Sequence, residues 1–129
     1  MEKIGVRTRD IKFCSKKNGA MILVHSEEAR SYAKYLEENS DVASYETCKA
    51  LISDRLNNLQ KTDIRGEYFK QNWASDFYIN FEDSTIAVRE IIRSSTLTKR
   101  ADIEKLELSR RYWASLGISN WKIVIVGGE

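Results

Sequence analysis

Two acidic residues in this sequence are spaced so that they could act together. Phe77-Tyr78-Ile79-Asn80-Phe81 and Thr85-Ile86-Ala87-Val88-Arg89-Glu90-Ile91-Ile92 are runs rich in β-branched and aromatic residues, separated by the polar segment Glu82-Asp83-Ser84. That pattern predicts a β-hairpin. With Glu82-Asp83-Ser84 as the turn, Phe81 pairs with Thr85 and Asp76 falls opposite Glu90. Opposed side chains of an antiparallel pair have Cβ atoms about 4.5–5.5 Å apart. Two carboxylates at that distance repel unless a cation or a proton lies between them. A divalent metal is one solution, since Mg²⁺ is commonly held by one or two carboxylates plus waters and substrate phosphate, with Mn²⁺ as a substitute. A bridging arginine, or a pair left exposed at a strand end, is the structural alternative. A register slip of one residue would put the two on opposite faces.

Other chemically capable residues are sparse. His25 has no second ligand near it in sequence and reads as a capping or surface residue. Cys14 and Cys48 are far apart and lack paired-ligand spacing, so they read as free thiols of a reducing cytoplasm. Trp113 and Trp121 are expected in the core, whereas Trp73, three residues before Asp76, could line a site. Gly127-Gly128 lacks the further glycine and the helix of a phosphate loop.

The elements that must position these groups follow from pattern. Met21-Ile22-Leu23-Val24 reads as a strand. Ser26 is a good N-cap, Glu27 and Glu28 suit the helix dipole, and Ala29, Tyr32, Ala33 and Leu36 make one apolar face of a helix ending at Asn39-Ser40-Asp41. Val42 to Cys48 reads as a strand that Ala50-Leu51-Ile52 extends or restarts. Residues 53–72 show no clear period and form a long loop that is functional, flexible or holds a short element. Asp102 to Leu116 is the strongest helix, with Ile103, Leu106, Arg110 and Trp113 on one stripe, Glu107 and Arg111 paired at i, i+4, and Gly117 as C-cap. Trp121 to Val126 is a last strand. The order predicts an α/β domain, a mixed sheet with helices packed on it.

Several of these segments resemble one family. Ala74-Ser75-Asp76-Phe77-Tyr78-Ile79 resembles the Asp-Phe segment of restriction-type nucleases. Ile103-Glu104-Lys105-Leu106-Glu107-Leu108-Ser109-Arg110-Arg111-Tyr112-Trp113 resembles the helix after the active-site strands of TnsA-type transposon endonucleases. Ser26 to Glu37, and Val42-Ala43-Ser44-Tyr45-Glu46 after it, are similar to that family's first helix and next strand. The matches keep their order over residues 22–126. The resemblance implies a restriction-endonuclease-like mixed central sheet flanked by helices. It also implies a Mg²⁺-dependent DNA endonuclease subunit of a mobile element, working with a transposase or other mobile-element protein.

In that family a helix Glu, the hairpin Asp and a Glu or Gln two residues before a Lys form the site. Asp76 and Glu90 match the second and third positions. Ala29 stands at the helix position, with Glu28 next to it as the candidate third carboxylate. Ile92 stands at the Lys position, with Arg93 next to it as the candidate cation if a bulge turns it inward. The implied metal ligands are Asp76, Glu90 and Glu28, with Arg93 completing the catalytic set. A relative that keeps the fold and binds DNA or a transposition partner without cutting is the alternative that Ala29 and Ile92 favour.

Charge and size agree with one domain. The chain has 129 residues, 42% of them hydrophobic and 31% charged, enough for an independent core. No apolar run approaches the roughly 20 residues of a membrane span, and Met1-Glu2-Lys3-Ile4 has no stretch of signal-peptide type, so no membrane role is expected. Net charge is only +2, but residues 1–17 carry six basic against two acidic groups, and residues 89–111 seven against four. Residues 1–18 read as a basic arm or short strand. Lys12, Lys16, Lys17, Lys99, Arg100 and Arg111 are the candidate phosphate contacts, with a solvated surface as the plain alternative. The sequence leaves partner and oligomeric state open, a homodimer included.

Overall fold

The computed structural model describes residues 1–4 and 10–126. Arg7, Arg9 and the end Gly127-Gly128-Glu129 lie outside the described residues. The sequence builds a five-stranded mixed sheet around the expected hairpin. Its central strand, β5 (Trp73–Phe81), pairs along one edge with β4 (Val42–Ala50). Its other edge is shared: β6 (Ile86–Arg93) takes the C-terminal half, and the short β1 (Glu2–Lys3) takes Trp73 and Ala74. These pairings are antiparallel, whereas β7 (Trp121–Val126) joins β6 in parallel. An α/β class with a mixed sheet is therefore the architecture.

Alternating β5 and β6 side chains enter two apolar layers. On one face, Phe77, Ile79 and Ala87 pack with Val24, Val42, Tyr45 and the face Ala29, Ala33, Leu36 of α1 (Glu27–Glu38). On the other, Val88 and Trp73 pack with Leu108, Tyr112 and Trp113 of α3 (Arg100–Ser115). α1 begins where its sequence dictates, with the Ser26 hydroxyl accepting from the Ala29 N–H at 3.1 Å. α3 ends at Gly117, whose φ of +81° suits a residue without a Cβ.

Two open readings are resolved and one expectation is corrected. Of the arm or short strand read for residues 1–18, a short strand is found: β2 (Ile11–Ser15) forms a separate two-stranded hairpin with β3 (Ala20–Val24). Residues 53–72 hold short elements, α2 (Ser53–Asn57) and a 3-10 turn (Gly66–Lys70), and they bury Leu56, Ile64, Tyr68 and Phe69. In α3 the expected stripe is rotated. Ile103 and Arg110 are exposed, while Glu104, Leu108, Ser109 and Tyr112 are buried with Leu106 and Trp113.

One carboxylate gathers several of the bonds that tie the β2–β3 hairpin to the main body. Glu37 of α1 accepts from the hydroxyls of Ser15 and Tyr45, both at 2.5 Å, and from the Lys17 N–H. Burial pushes the Glu37 carboxyl up, but these donors outweigh it and hold the group below its ordinary value of 4.5. A carboxylate depressed in this way stabilises the fold above its unfolded value, and the contribution is lost as pH falls through the lower folded value. Glu37→Gln is therefore expected to lower stability at neutral pH and to flatten the loss of stability between about pH 5 and pH 3. Urea unfolding across that range measures it, and parallel curves for both proteins would contradict the assignment.

Candidate functional site

The hairpin register is the one its sequence predicts. Phe77, Tyr78, Ile79 and Asn80 pair with Arg89, Val88, Ala87 and Ile86, and Phe81 N–H donates to the Thr85 carbonyl across the turn. Asp76 and Glu90 come next in that register, and there the ladder stops. β5 and β6 part into a fork, and β1 lies against β5 beyond it.

Side chains take over from the ladder at the fork. The Asp76 N–H donates to Glu90 Oε1 at 3.2 Å, and the Ile91 N–H donates to Asp76 Oδ2 at 2.7 Å. Each carboxylate thus satisfies a backbone donor that strand pairing has left over. The Met1 ammonium lies 3.2 Å from Glu90 Oε1 and 3.6 Å from Asp76 Oδ2. The repulsion expected of this pair is relieved by an internal cation.

The other neighbour of Asp76 is distorted as well. Thr47 pairs with Phe77 and Lys49 with Ser75, so Cys48 lies across from Asp76, with a φ of +52° that is rare for a residue bearing a Cβ. Strand alternation also breaks here. Ser75 accepts from Trp113 in the α3 layer, whereas Phe77, two residues on, packs against Tyr32 and Tyr45 in the α1 layer. A regular strand would put both on one face.

Glu90 is fully buried. Its Oε2 accepts from Ser75 Oγ at 2.6 Å and Ser109 Oγ at 2.5 Å. Those hydroxyls accept in turn from the indole N–H groups of Trp113 and Trp121, at 2.8 and 2.9 Å. The result is a closed relay of five side chains joining β5, β6, α3 and β7. Sequence reasoning missed Ser75 and Ser109. Their signal was present: a serine inside the apolar stripe of α3, and two tryptophans whose N–H groups need acceptors once buried.

The remaining expected site residues are not brought to the fork. Glu28, at the start of α1, receives Arg93 Nη2 at 2.5 Å. Its carboxyl sits below its ordinary range, first because a backbone N–H of the opening helical turn donates to it, and then because of Arg93. Burial opposes the shift. The pairing of β6 with β7 is regular from Val88 to Arg93, so no bulge turns Arg93 toward Glu90. Glu90 faces α3 while Arg93 reaches α1, as alternation requires. Ile92 shares the parity of Glu90 and brings no charge. Among the described residues no three His, Cys, Asp or Glu side chains group as metal ligands. Trp73, expected near a site, is buried and donates its indole N–H to the Tyr68 carbonyl. His25 is paired with Asp10 at 3.0 Å, Cys14 is exposed, and Cys48 Sγ donates to the Leu23 carbonyl at 3.9 Å.

The candidate phosphate contacts divide in two. Lys12, Lys16 and Lys99 are exposed, and Arg100 is exposed while also pairing with Glu104. Lys17 and Arg111 are occupied within the fold. Lys17 Nζ donates to the Val42 carbonyl, and Arg111 clamps the carbonyls of Gln60 and Thr62 at 2.8 Å, with Glu107 behind it. No helix among the described residues is long and apolar enough to cross a membrane. No protein-family model matches this chain, and no curated protein matches it.

The donor set as arranged does not fit a divalent ion. Glu90 has both oxygens engaged by internal donors, and among the described residues no third acidic ligand joins the pair. Removing the Glu90 carboxylate would strand two buried hydroxyls, a backbone N–H and an ammonium. Glu90→Ala is expected to destabilise the protein by about 3–5 kcal/mol, and Ser109→Ala by about 1.5–3 kcal/mol. Denaturant unfolding measures both. Losses within about 0.5 kcal/mol of wild type, the range of ordinary surface substitutions, would show that the relay is incidental.

Proposed function

We propose that this chain is a restriction-endonuclease-like domain, related in design to the nuclease domain of TnsA-type transposon endonucleases, that binds DNA without cutting it. The observation that carries this reading is the condition of Glu90: fully buried, with its oxygens engaged by Ser75, Ser109 and the Asp76 N–H. A carboxylate so engaged supports the fold and is not presented to a metal or a phosphodiester. Ala29 and Ile92, in place of the family's helix Glu and Lys, point the same way. The exposed cations Lys12, Lys16, Lys99 and Arg100 supply an electrostatic, sequence-tolerant attraction for phosphates. So weak a charge excess does not select a site alone, so target choice falls to a partner such as a transposase of the mobile element.

A second reading keeps the enzyme. The Met1 ammonium within 3.6 Å of Asp76 and 3.2 Å of Glu90 favours it, because the pair accepts one positive charge between its members. On that reading the chain is a metal-dependent endonuclease subunit whose fork must rearrange before Mg²⁺ or Mn²⁺ can enter.

Gel-shift titration and plasmid nicking separate the two. The expected result is retention of duplex DNA at low salt, with affinity falling steeply as salt rises, and no nicking of supercoiled plasmid in Mn²⁺. Charge reversal at Lys12 and Lys16 should flatten the salt slope by about 2 for duplex DNA, one unit per lost phosphate contact. Nicking by the wild-type chain that Asp76→Ala abolishes would give the enzyme reading the case. So would nicking that emerges in Ile92→Lys combined with Ala29→Glu. Absence of binding to any DNA at low salt would sink the DNA-binding proposal itself.

A further inference from the structure

A cleft between β2 and α1 carries the strongest unassigned chemistry. It has a volume of about 370 Å³ and is lined by Phe13 from β2 and by Glu27, Arg30, Ser31, Lys34 and Glu37 from α1. The α1 residues recur at helical spacing and form the stripe beside the buried face Ala29, Ala33, Leu36.

Two features give this cleft a ligand chemistry. The first is a pair of uncommitted cations. Of the eight described arginines, Arg65, Arg89, Arg93, Arg100, Arg110 and Arg111 donate to carboxylates, carbonyls or a side-chain amide. Arg30 and Arg55 have no such partner among the described residues, and neither does Lys34; of these, Arg30 and Lys34 line the cleft. They stand at i, i+4, where like charges on one helix face repel. An anion seated between them relieves that repulsion. The second feature is the mixed lining. A bare inorganic anion would meet Glu27 and Glu37 as well as the cations, which disfavours it. A nucleotide suits this mixture. Its phosphate suits Arg30 and Lys34, its base can lie against the Phe13 ring, and the Ser31 hydroxyl can accept from a base N–H such as the thymine N3–H. The volume lies within the range of small-molecule sites. Bases in a duplex are stacked and paired, so only an unpaired nucleotide can present both its phosphate and a ring face.

We propose that this cleft binds one unpaired nucleotide of a DNA strand, with Arg30 and Lys34 on the phosphate and Phe13 against the base. The proposal rests on the reading of the chain as a DNA-binding domain and assigns it a preference for single-stranded or frayed ends. It places the contact on the β2–α1 side of the molecule, not at the Asp76–Glu90 fork.

Fluorescence anisotropy with labelled oligo-dT and with a duplex of equal length tests it. The double variant Arg30→Gln, Lys34→Gln changes exposed residues, and circular dichroism checks its folding. Its expected effect is a loss of oligo-dT binding of about tenfold or more at low salt, with the slope of log affinity against log salt shallower by about 0.7, the value for one phosphate. Duplex binding should change much less. Phe13→Leu should weaken oligo-dT about fivefold or more with an unchanged salt slope, since stacking is lost and charge is kept. If the double variant binds oligo-dT as wild type does, the cleft is not the site, and the DNA-binding reading survives. Equal losses on oligo-dT and duplex overturn the single-strand preference and leave a general phosphate contact. If the wild-type chain binds neither nucleic acid at low salt, both proposals fall together.

Discussion

A carboxylate removed from water must find its hydrogen bonds inside the protein, and Glu90 obliges the structure around it to provide them. Ser75 and Ser109 both donate to its Oε2, and an apolar residue at either position would remove one of the two donors that oxygen has. Trp113 and Trp121 then donate to the serines, which fixes the orientation of two large rings at the junction of α3 with the sheet. The rotated stripe of α3 follows from the same demand. With Ser109 turned toward Glu90, Leu108, Tyr112 and Trp113 go inward, and Ile103 and Arg110 are left outside. A single charged atom pair thus sets the facing of a sixteen-residue helix.

The fork is the second consequence. Asp76 and Glu90 terminate the β5–β6 ladder by accepting from each other's strands, and β4 answers with a left-handed residue at Cys48. Backbone held in a sparsely populated region costs of order 1–3 kcal/mol. A sheet built only for stability would run β5 and β6 in register to their ends. The fork is a departure from the simplest solution the strand sequences allow, as is the register shift between Val42 and Ser44 in β4. The departure also moves Glu90 away from the role its position in the motif suggests. The carboxylates remain neighbours, yet they are bound into the scaffold.

Local patterns carried much of this fold. Ser26 with its two following glutamates starts α1, Glu82-Asp83-Ser84 sets a hairpin register, and Gly117 closes α3, because each depends on residues a few positions apart. Three things could not be read that way. β2 alternates Ile11, Lys12, Phe13, Cys14, Ser15, but the lysines around it make the segment look like a solvated arm until β3 is known to pair with it. Arg111 reads as a surface cation, and only the packed course of residues 60–62 shows that it clamps two carbonyls. The fork needs β1, and nothing near Asp76 in the sequence announces that residues 2 and 3 will lie against Trp73 and Ala74. The site residues were therefore legible as types and as a register, but their partners were not. Glu28 and Arg93 found each other on the α1 face, and Glu90 found α3.

The pairing of β1 with β5 has a kinetic meaning. It joins residues about 70 positions apart through a strand of only two residues. Closing so long a loop carries an entropic penalty that a short ladder barely offsets, so β1 docks after the sheet it joins and detaches most readily from it. Elements of this kind open by local fluctuation while the rest of the molecule stays folded. Each such opening withdraws the Met1 ammonium from Asp76 and Glu90. The amides of β1 and of Ile4, which donates to the Asn72 carbonyl, should accordingly exchange with solvent far faster than those of β5 and β6. The acidic fork is then a site with a lifetime, closed in its ground state and briefly uncovered on the timescale of that fraying.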